Sequence, residues 1–170
     1  MNAVAPLALE ARGLVKQFGG IAATQQVNLA LPAGARHALI GPNGAGKTTL
    51  IHLMTGMLPL DQGRVLLTGE DITDLPAHQR VRRGLVRTFQ INQLFDSLTP
   101  RQTLTLVAGE HLGLGRRWWQ SLGQDARAVR HAEQLIEQFH LEDVCHRVTR
   151  ELAYGKRRLL EMAIALACEP

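Results

Sequence analysis

Gly41-Pro42-Asn43-Gly44-Ala45-Gly46-Lys47-Thr48 fits the spacing G-x-x-x-x-G-K-[ST], and no other segment restricts the fold of this chain so far. Glycines at this spacing let backbone N–H groups turn inward around phosphate oxygens. A helix beginning near Lys47 aims its positive end at the same anion. Lys47 is placed to reach the β and γ phosphates, and the Thr48 hydroxyl to coordinate Mg²⁺. Both flanks agree. Ala38-Leu39-Ile40 is a short apolar run without alternation, which predicts a strand buried on both faces, as in a parallel sheet. Leu50, Leu53, Met54 and Met57 recur at helical spacing, and Gly56 suits the helix stop. A chance glycine-rich turn would carry neither flank.

The rest of the first third reads as strands. Leu7, Leu9 and Ala11 alternate with other residues, and so do Val27, Leu29 and Leu31 before the Pro32-Ala33-Gly34 turn. Arg64 to Thr68 is a further strand, closed by Gly69-Glu70-Asp71. A short helix follows, with Pro76 in its first turn, Arg82 and Arg83 in its last, and Gly84 at its end. Leu85 to Phe89 returns to strand character. After Gln90 the pattern becomes helical. Helices are expected over Arg101 to Glu110, over Gln124 to His140 and over Lys156 to Ala167. The last carries Leu159, Met162, Ala163, Leu166 and Ala167 on its apolar stripe.

Composition narrows the classes of function. With 45% apolar residues the chain is globular rather than disordered. Nineteen lysines and arginines against 15 aspartates and glutamates give a net charge of +4. That charge is scattered, so a nucleic-acid groove is not expected. No apolar run reaches the roughly 18 residues that would span a membrane. The N-terminus, interrupted by Pro6 and Glu10, does not read as a secretory signal. Cys145 and Cys168 form no disulfide framework, which points to a reducing compartment. The seven histidines make no zinc spacing with these cysteines and are read as structural or surface residues. Arg116-Arg117-Trp118-Trp119 suits a membrane interface or partner surface, against a surface loop whose tryptophans fold back.

With Gly41 to Thr49 in place, two later segments become legible. Arg87-Thr88-Phe89-Gln90 ends a strand, and Leu152-Ala153-Tyr154-Gly155-Lys156 precedes the last helix. In order and spacing these resemble the ATP-binding subunits of ABC transporters. Phe18-Gly19-Gly20, the run from Arg87 to Thr99 and the tyrosine in the signature resemble the branched-chain amino acid importer group. The fold so implied is α/β, a P-loop NTPase with an N-terminal antiparallel β part and a helical subdomain. Residues 1–90 would form the nucleotide-binding core and residues 91–170 the helical subdomain with the signature. ATP and Mg²⁺ are the implied cofactors. Phe18 would stack on adenine, against the alternative of a packing residue. Gly41, Pro42, Asn43, Gly44, Ala45, Gly46, Lys47, Thr48 and Thr49 would hold the phosphates. Gln90 would reach the metal or the attacking water. Leu152 to Lys156 would cap the ATP of a second, head-to-tail subunit, although Ala153, Tyr154 and Lys156 depart from the common Leu-Ser-Gly-Gly-Gln. The partners implied are that second subunit and transmembrane permeases docking near Gln90 to Thr99, at the cytoplasmic face of the membrane.

In this family an apolar strand ending in Asp-Glu follows the signature helix, and no segment here substitutes for it. The resemblance therefore implies an incomplete ATPase domain, ending after the signature helix, that alone turns over ATP at no more than background. The alternatives are a non-catalytic nucleotide- or partner-binding fragment, and an ATPase of another transport system for urea, amides or lipopolysaccharide.

Overall fold

The computed structural model describes residues 6–88, 95–114 and 125–170. They form two compact units, residues 1–80 and 81–170.

The first unit is built on a long hairpin. Strands β1 (Leu7–Phe18) and β2 (Ile21–Pro32) pair antiparallel, with Leu7 opposite Pro32, Ala11 opposite Leu29 and Phe18 opposite Ile21. The expected alternation holds until Ala11 and then shifts. Leu9, Ala11 and Leu14 are the buried positions, and the register slips between Ala11 and Leu14. Gly13, at φ +59°, absorbs the extra residue, and its N–H donates to Asn28 Oδ1 at 2.8 Å. Strand β3 (Gln62–Leu67) joins the free edge of β1, with Ala11 opposite Val65, and β4 (Glu70–Asp71) joins β3. The sheet order is β2-β1-β3-β4, every pair antiparallel. Helix α1 (Lys47–Met54) buries Leu50, Leu53 and Met54 and closes at Thr55, with Gly56 at φ +73°. Helix α2 (Ala77–Val81) is shorter than the sequence suggests. Arg82 and Arg83 fall in the turn after it, and Gly84 takes φ +95°.

Two strand expectations do not hold. Ala38-Leu39-Ile40 has no regular structure, and Ile40 is 88% exposed. A strand buried on both faces needs a ladder partner on each side. Among the described residues none pairs with this run. Residues 85–88 are likewise irregular, and Phe89 lies outside the described residues.

The second unit is helical. Helix α3 (Pro100–His111) opens on a reciprocal cap. The Thr99 hydroxyl accepts from Gln102 N–H at 3.2 Å, and Gln102 Oε1 accepts from Thr99 N–H at 2.9 Å. Helix α4 (Ala126–Gln138) is capped by Asp125. Short 3-10 turns at Glu142–Val144 and Thr149–Glu151 lead into α5 (Tyr154–Leu166). Leu104, Ala132, Leu135, Ile136, Leu141, Leu160 and Ala163 form the core. On α5 the buried residues are Leu160, Glu161 and Ala163, joined by the C-cap Ala167. The expected Met162 and Leu166 are instead 42% and 41% exposed. This helix carries apolar residues nearly all round from Leu159 to Leu166, so periodicity alone does not choose its face.

Candidate functional site

The loop from Gly41 to Gly46 ends where α1 begins. Gly46 is the N-cap, at φ +78°, and offers no side chain to the first turn. No acidic residue lies in that turn either. The N-terminal amides of α1 therefore have no carboxylate in their own turn to compete with an anion. Gly46 is required by space as well as by dihedral, because a Cβ there would lie 2.3 Å from the Ala23 carbonyl oxygen of β2. Gly44, at φ +82°, stands in open space. Ala45 N–H donates to Pro42 O at 3.3 Å and Leu50 N–H to Gly46 O at 2.8 Å, which closes the loop onto the helix.

Lys47 folds back over this loop. Its ammonium donates to Gly41 O and to Pro42 O, each at 2.7 Å. The positive charge is thus tethered to the first two carbonyls of the loop. Thr48 is exposed. A glycine-rich loop, a cation hydrogen-bonded to its carbonyls and a helix N-terminus without a side-chain cap fit a polyphosphate. For Mg²⁺ the described residues offer Thr48 alone among the expected ligands, since Gln90 lies outside them. Among the described residues no group of three or more His, Cys, Asp or Glu could hold a metal. Magnesium bound largely through substrate phosphates and water suits such a site.

Phe18 closes the β1–β2 hairpin and is 47% exposed. The Lys16 ammonium lies 5.7 Å from its ring centroid. Lys16 also pairs with Asp61 Oδ1 at 2.7 Å, and Gln17 N–H donates to Asp61 Oδ2 at 2.8 Å. These two contacts hold the Asp61 carboxyl below its usual range. The chain just before Phe18 is thereby fixed to the start of β3.

The segment expected as the signature, Leu152 to Lys156, spans the start of α5 in the second unit. Leu152 is buried, Ala153 is an N-cap without a side-chain hydrogen bond, and Tyr154 is 73% exposed. A Cβ at Gly155 would meet no atom within 4 Å. Lys156 does not point freely ahead of the helix. Its ammonium donates to Asp143 Oδ1 and to His140 O, each at 2.6 Å. Of the segment Gln90 to Thr99, residues 90–94 lie outside the described residues, as do Arg116, Arg117, Trp118 and Trp119.

Arg80 stands two residues before Arg82-Arg83, and no local pattern in the sequence singles it out. It is 2% exposed, and its guanidinium donates to four carbonyls. These are Leu53 at 3.0 Å, Met54 at 2.6 Å, Thr73 at 2.6 Å and Leu75 at 2.8 Å. Burial pulls its pKa down, against the opposing pull of Asp74 and Asp71. No spacing rule links a residue of α2 to carbonyls 26 positions earlier.

Comparison with known proteins agrees with this geometry. The family described as ABC transporter matches residues 24–170. The high-affinity branched-chain amino acid transport ATP-binding protein BraF of Pseudomonas aeruginosa is 36% identical over 167 residues, covering 95% of this chain and 66% of BraF. The lipopolysaccharide export system ATP-binding protein LptB of Escherichia coli is 34% identical over 162 residues, covering 95% of this chain and 64% of LptB. Among solved structures, the ADP conformation of MJ1267, an ATP-binding cassette of an ABC transporter, superposes with a TM-score of 0.83 at 31% identity. That superposition covers 96% of this chain and 66% of MJ1267. The chain thus spans just under two thirds of the length of these relatives. With a family match over most of its length and a fold shared with solved ATP-binding cassettes, the chain belongs to the ABC transporter family.

Proposed function

We propose that this chain is the nucleotide-binding part of an ABC importer that couples ATP binding and hydrolysis to transport of branched-chain amino acids. The observation that carries the nucleotide reading is the Lys47 ammonium tethered to the first two carbonyls of the Gly41–Thr48 loop, at the uncapped end of α1. When phosphates arrive, Lys47 exchanges two carbonyl partners for charged oxygens, and charge-assisted hydrogen bonds are the stronger kind. The Thr48 hydroxyl, exposed beside it, is available to Mg²⁺. Gln90 is read as the second group near metal and water. Phe18 is read as the adenine platform, and its exposure supports that role. Residues 1–90 are read as the nucleotide core and residues 91–170 as the helical subdomain.

The transport reading rests on relatives such as BraF and LivG, which are branched-chain amino acid transport ATP-binding proteins at 34–36% identity. LptB, a lipopolysaccharide export ATP-binding protein at 34%, keeps a second cargo class in view. Two partners follow from this reading. One is a second ATP-binding subunit, capped head to tail by Leu152 to Lys156. The other is a permease docking at Gln90 to Thr99, where Phe95 is 50% exposed. No helix among the described residues is long and apolar enough to cross a membrane. Attachment to the cytoplasmic face would then run through the permease.

Titration with fluorescent ATP tests the core of this reading. Lys47→Ala should lose most of the affinity while its far-UV spectrum stays that of the parent chain. Equal affinity in the folded variant would remove the basis of the proposal.

A further inference from the structure

Helix α1 is held very differently at its two ends. Eight residues at 1.5 Å each make it about 12 Å long. At the phosphate end it has no side-chain cap, and the irregular run before the loop pairs with no described strand. At the other end the C-terminal carbonyls of Leu53 and Met54 are gripped by the buried guanidinium of Arg80. The same guanidinium reaches Thr73 O and Leu75 O, in the connection between β4 and α2. A cation at a helix C-terminus also favours the macrodipole whose positive end faces the anion. Gly56 leaves the space for it, since a Cβ there would fall 2.8 Å from Arg80 Nε.

We propose that Arg80 is a positioning residue for the nucleotide phosphates. It sets the axial position of α1 from its C-terminal end, so that Lys47 and Thr48 at the other end meet the phosphates in register. This rests on the reading of Gly41–Thr48 as the nucleotide site. Burial of Leu50, Leu53 and Met54 and the close approach of Gly46 to β2 restrain α1 elsewhere, while Arg80 is the restraint gripping its C-terminal carbonyls, and small misplacements of binding groups are expensive.

The test compares the parent full chain with Arg80→Met, Arg80→Lys and Lys47→Ala. Three measurements are made on each: affinity for fluorescent ATP, affinity for adenosine by competition, and amide hydrogen exchange over residues 44–49 with and without ATP. In Arg80→Met, ATP affinity should fall about tenfold or more while adenosine affinity stays the same. ATP should also no longer protect the loop amides, and millimolar guanidinium should restore part of the affinity where urea does not. A merely structural arginine would lower both affinities together and expose α1 amides without nucleotide. Equal ATP affinity, or a parallel loss of ATP and adenosine, overturns the proposal. Should Arg80→Met not fold, Arg80→Lys decides. Its single ammonium cannot span four carbonyls, so an ATP-to-adenosine affinity ratio equal to the parent's overturns the proposal and a lowered ratio supports it. A parent chain that binds no ATP, or a Lys47→Ala chain that binds it normally, would sink the phosphate-loop reading itself.

Discussion

The Leu98 carbonyl oxygen accepts two hydrogen bonds from Thr149, one from its backbone N–H at 2.9 Å and one from its hydroxyl at 2.6 Å. Next to this pair, Arg150 N–H donates to Asp96 O at 3.2 Å. Arg157 of α5 then donates from Nε to Leu152 O at 3.0 Å and from its terminal nitrogen to Arg150 O. The residues just before α3 are thus tied, through Thr149 to Leu152, to the first turn of α5. The described part of the proposed permease-docking segment is hydrogen-bonded to Thr149 and Arg150, which lie just before Leu152 to Lys156.

Thr149→Val removes the hydroxyl bond and keeps the shape. Leu98 O still has the backbone N–H, so no acceptor is orphaned, and the expected loss of stability is about 0.5–1.5 kcal/mol. Urea unfolding measures it. A midpoint unchanged from the parent would mean that the hydroxyl bond contributes nothing.

Lys156 is the departure from the common signature that the structure explains best. Its bonds to Asp143 and His140 make it a strut between the α4–α5 connection and α5. A lysine so placed offers its charge to an anion ahead of the helix only by giving up both bonds. The hydrogen bond from Lys156, opposed by a small desolvation, holds the Asp143 carboxyl below its ordinary range. The stabilising effect of the pair is therefore present above the unfolded value of about 3.9 and is lost as pH falls through the lower folded value. Carboxyl-carbon NMR should place the Asp143 midpoint below that of a free aspartate, and Lys156→Met should raise it. A midpoint indifferent to that substitution would show that the strut does not form in solution.

Much of this was legible beforehand, for physical reasons. The hairpin alternation, the phosphate loop and the Gly56 stop are local patterns, each readable from neighbours in sequence. The misread elements depend on distant partners. Ala38-Leu39-Ile40 has the composition of a buried strand, but composition does not supply a ladder. Helix α5 has apolar residues on several faces, so only packing selects Leu160 over Leu159 as the fully buried one. Arg80 has no local signal, because its carbonyl partners come from α1 and from the connection between β4 and α2. The Thr99–Gln102 cap was readable as Thr-Pro-Arg-Gln and places the start of α3 one residue earlier than expected.

The two loop glycines should respond differently to substitution. Gly44→Ala meets open space and pays only for a left-handed backbone, about 1–2 kcal/mol. Gly46→Ala adds a Cβ at 2.3 Å from Ala23 O, a backbone atom of β2 that cannot rotate away. Either the loop or β2 must then shift. Denaturant melts should rank Gly46→Ala clearly below Gly44→Ala, and nucleotide titration should show the larger affinity loss for Gly46→Ala. The reverse order would mean that α1 does not approach β2 as closely as the structure has it.

Phe18 separates binding from folding. Its ring is about half exposed at the end of the hairpin, opposite Ile21, which is 75% exposed. Among the described residues it belongs to no buried cluster, and its one described ring contact is the Lys16 ammonium. Lys16 keeps its partner Asp61 when the ring is removed. Phe18→Ala should therefore change unfolding free energy by no more than about 0.5 kcal/mol, as for ordinary surface positions. Stacking on a nucleobase is worth about 1–3 kcal/mol per base. ATP affinity should fall by that amount, and inorganic triphosphate, which has no base, should bind Phe18→Ala and the parent chain alike. Calorimetric titration of both ligands, with a melt on each protein, checks all three expectations. A variant that unfolds would assign Phe18 to packing. A variant that loses triphosphate and ATP equally would place its effect on the phosphate loop rather than on the base.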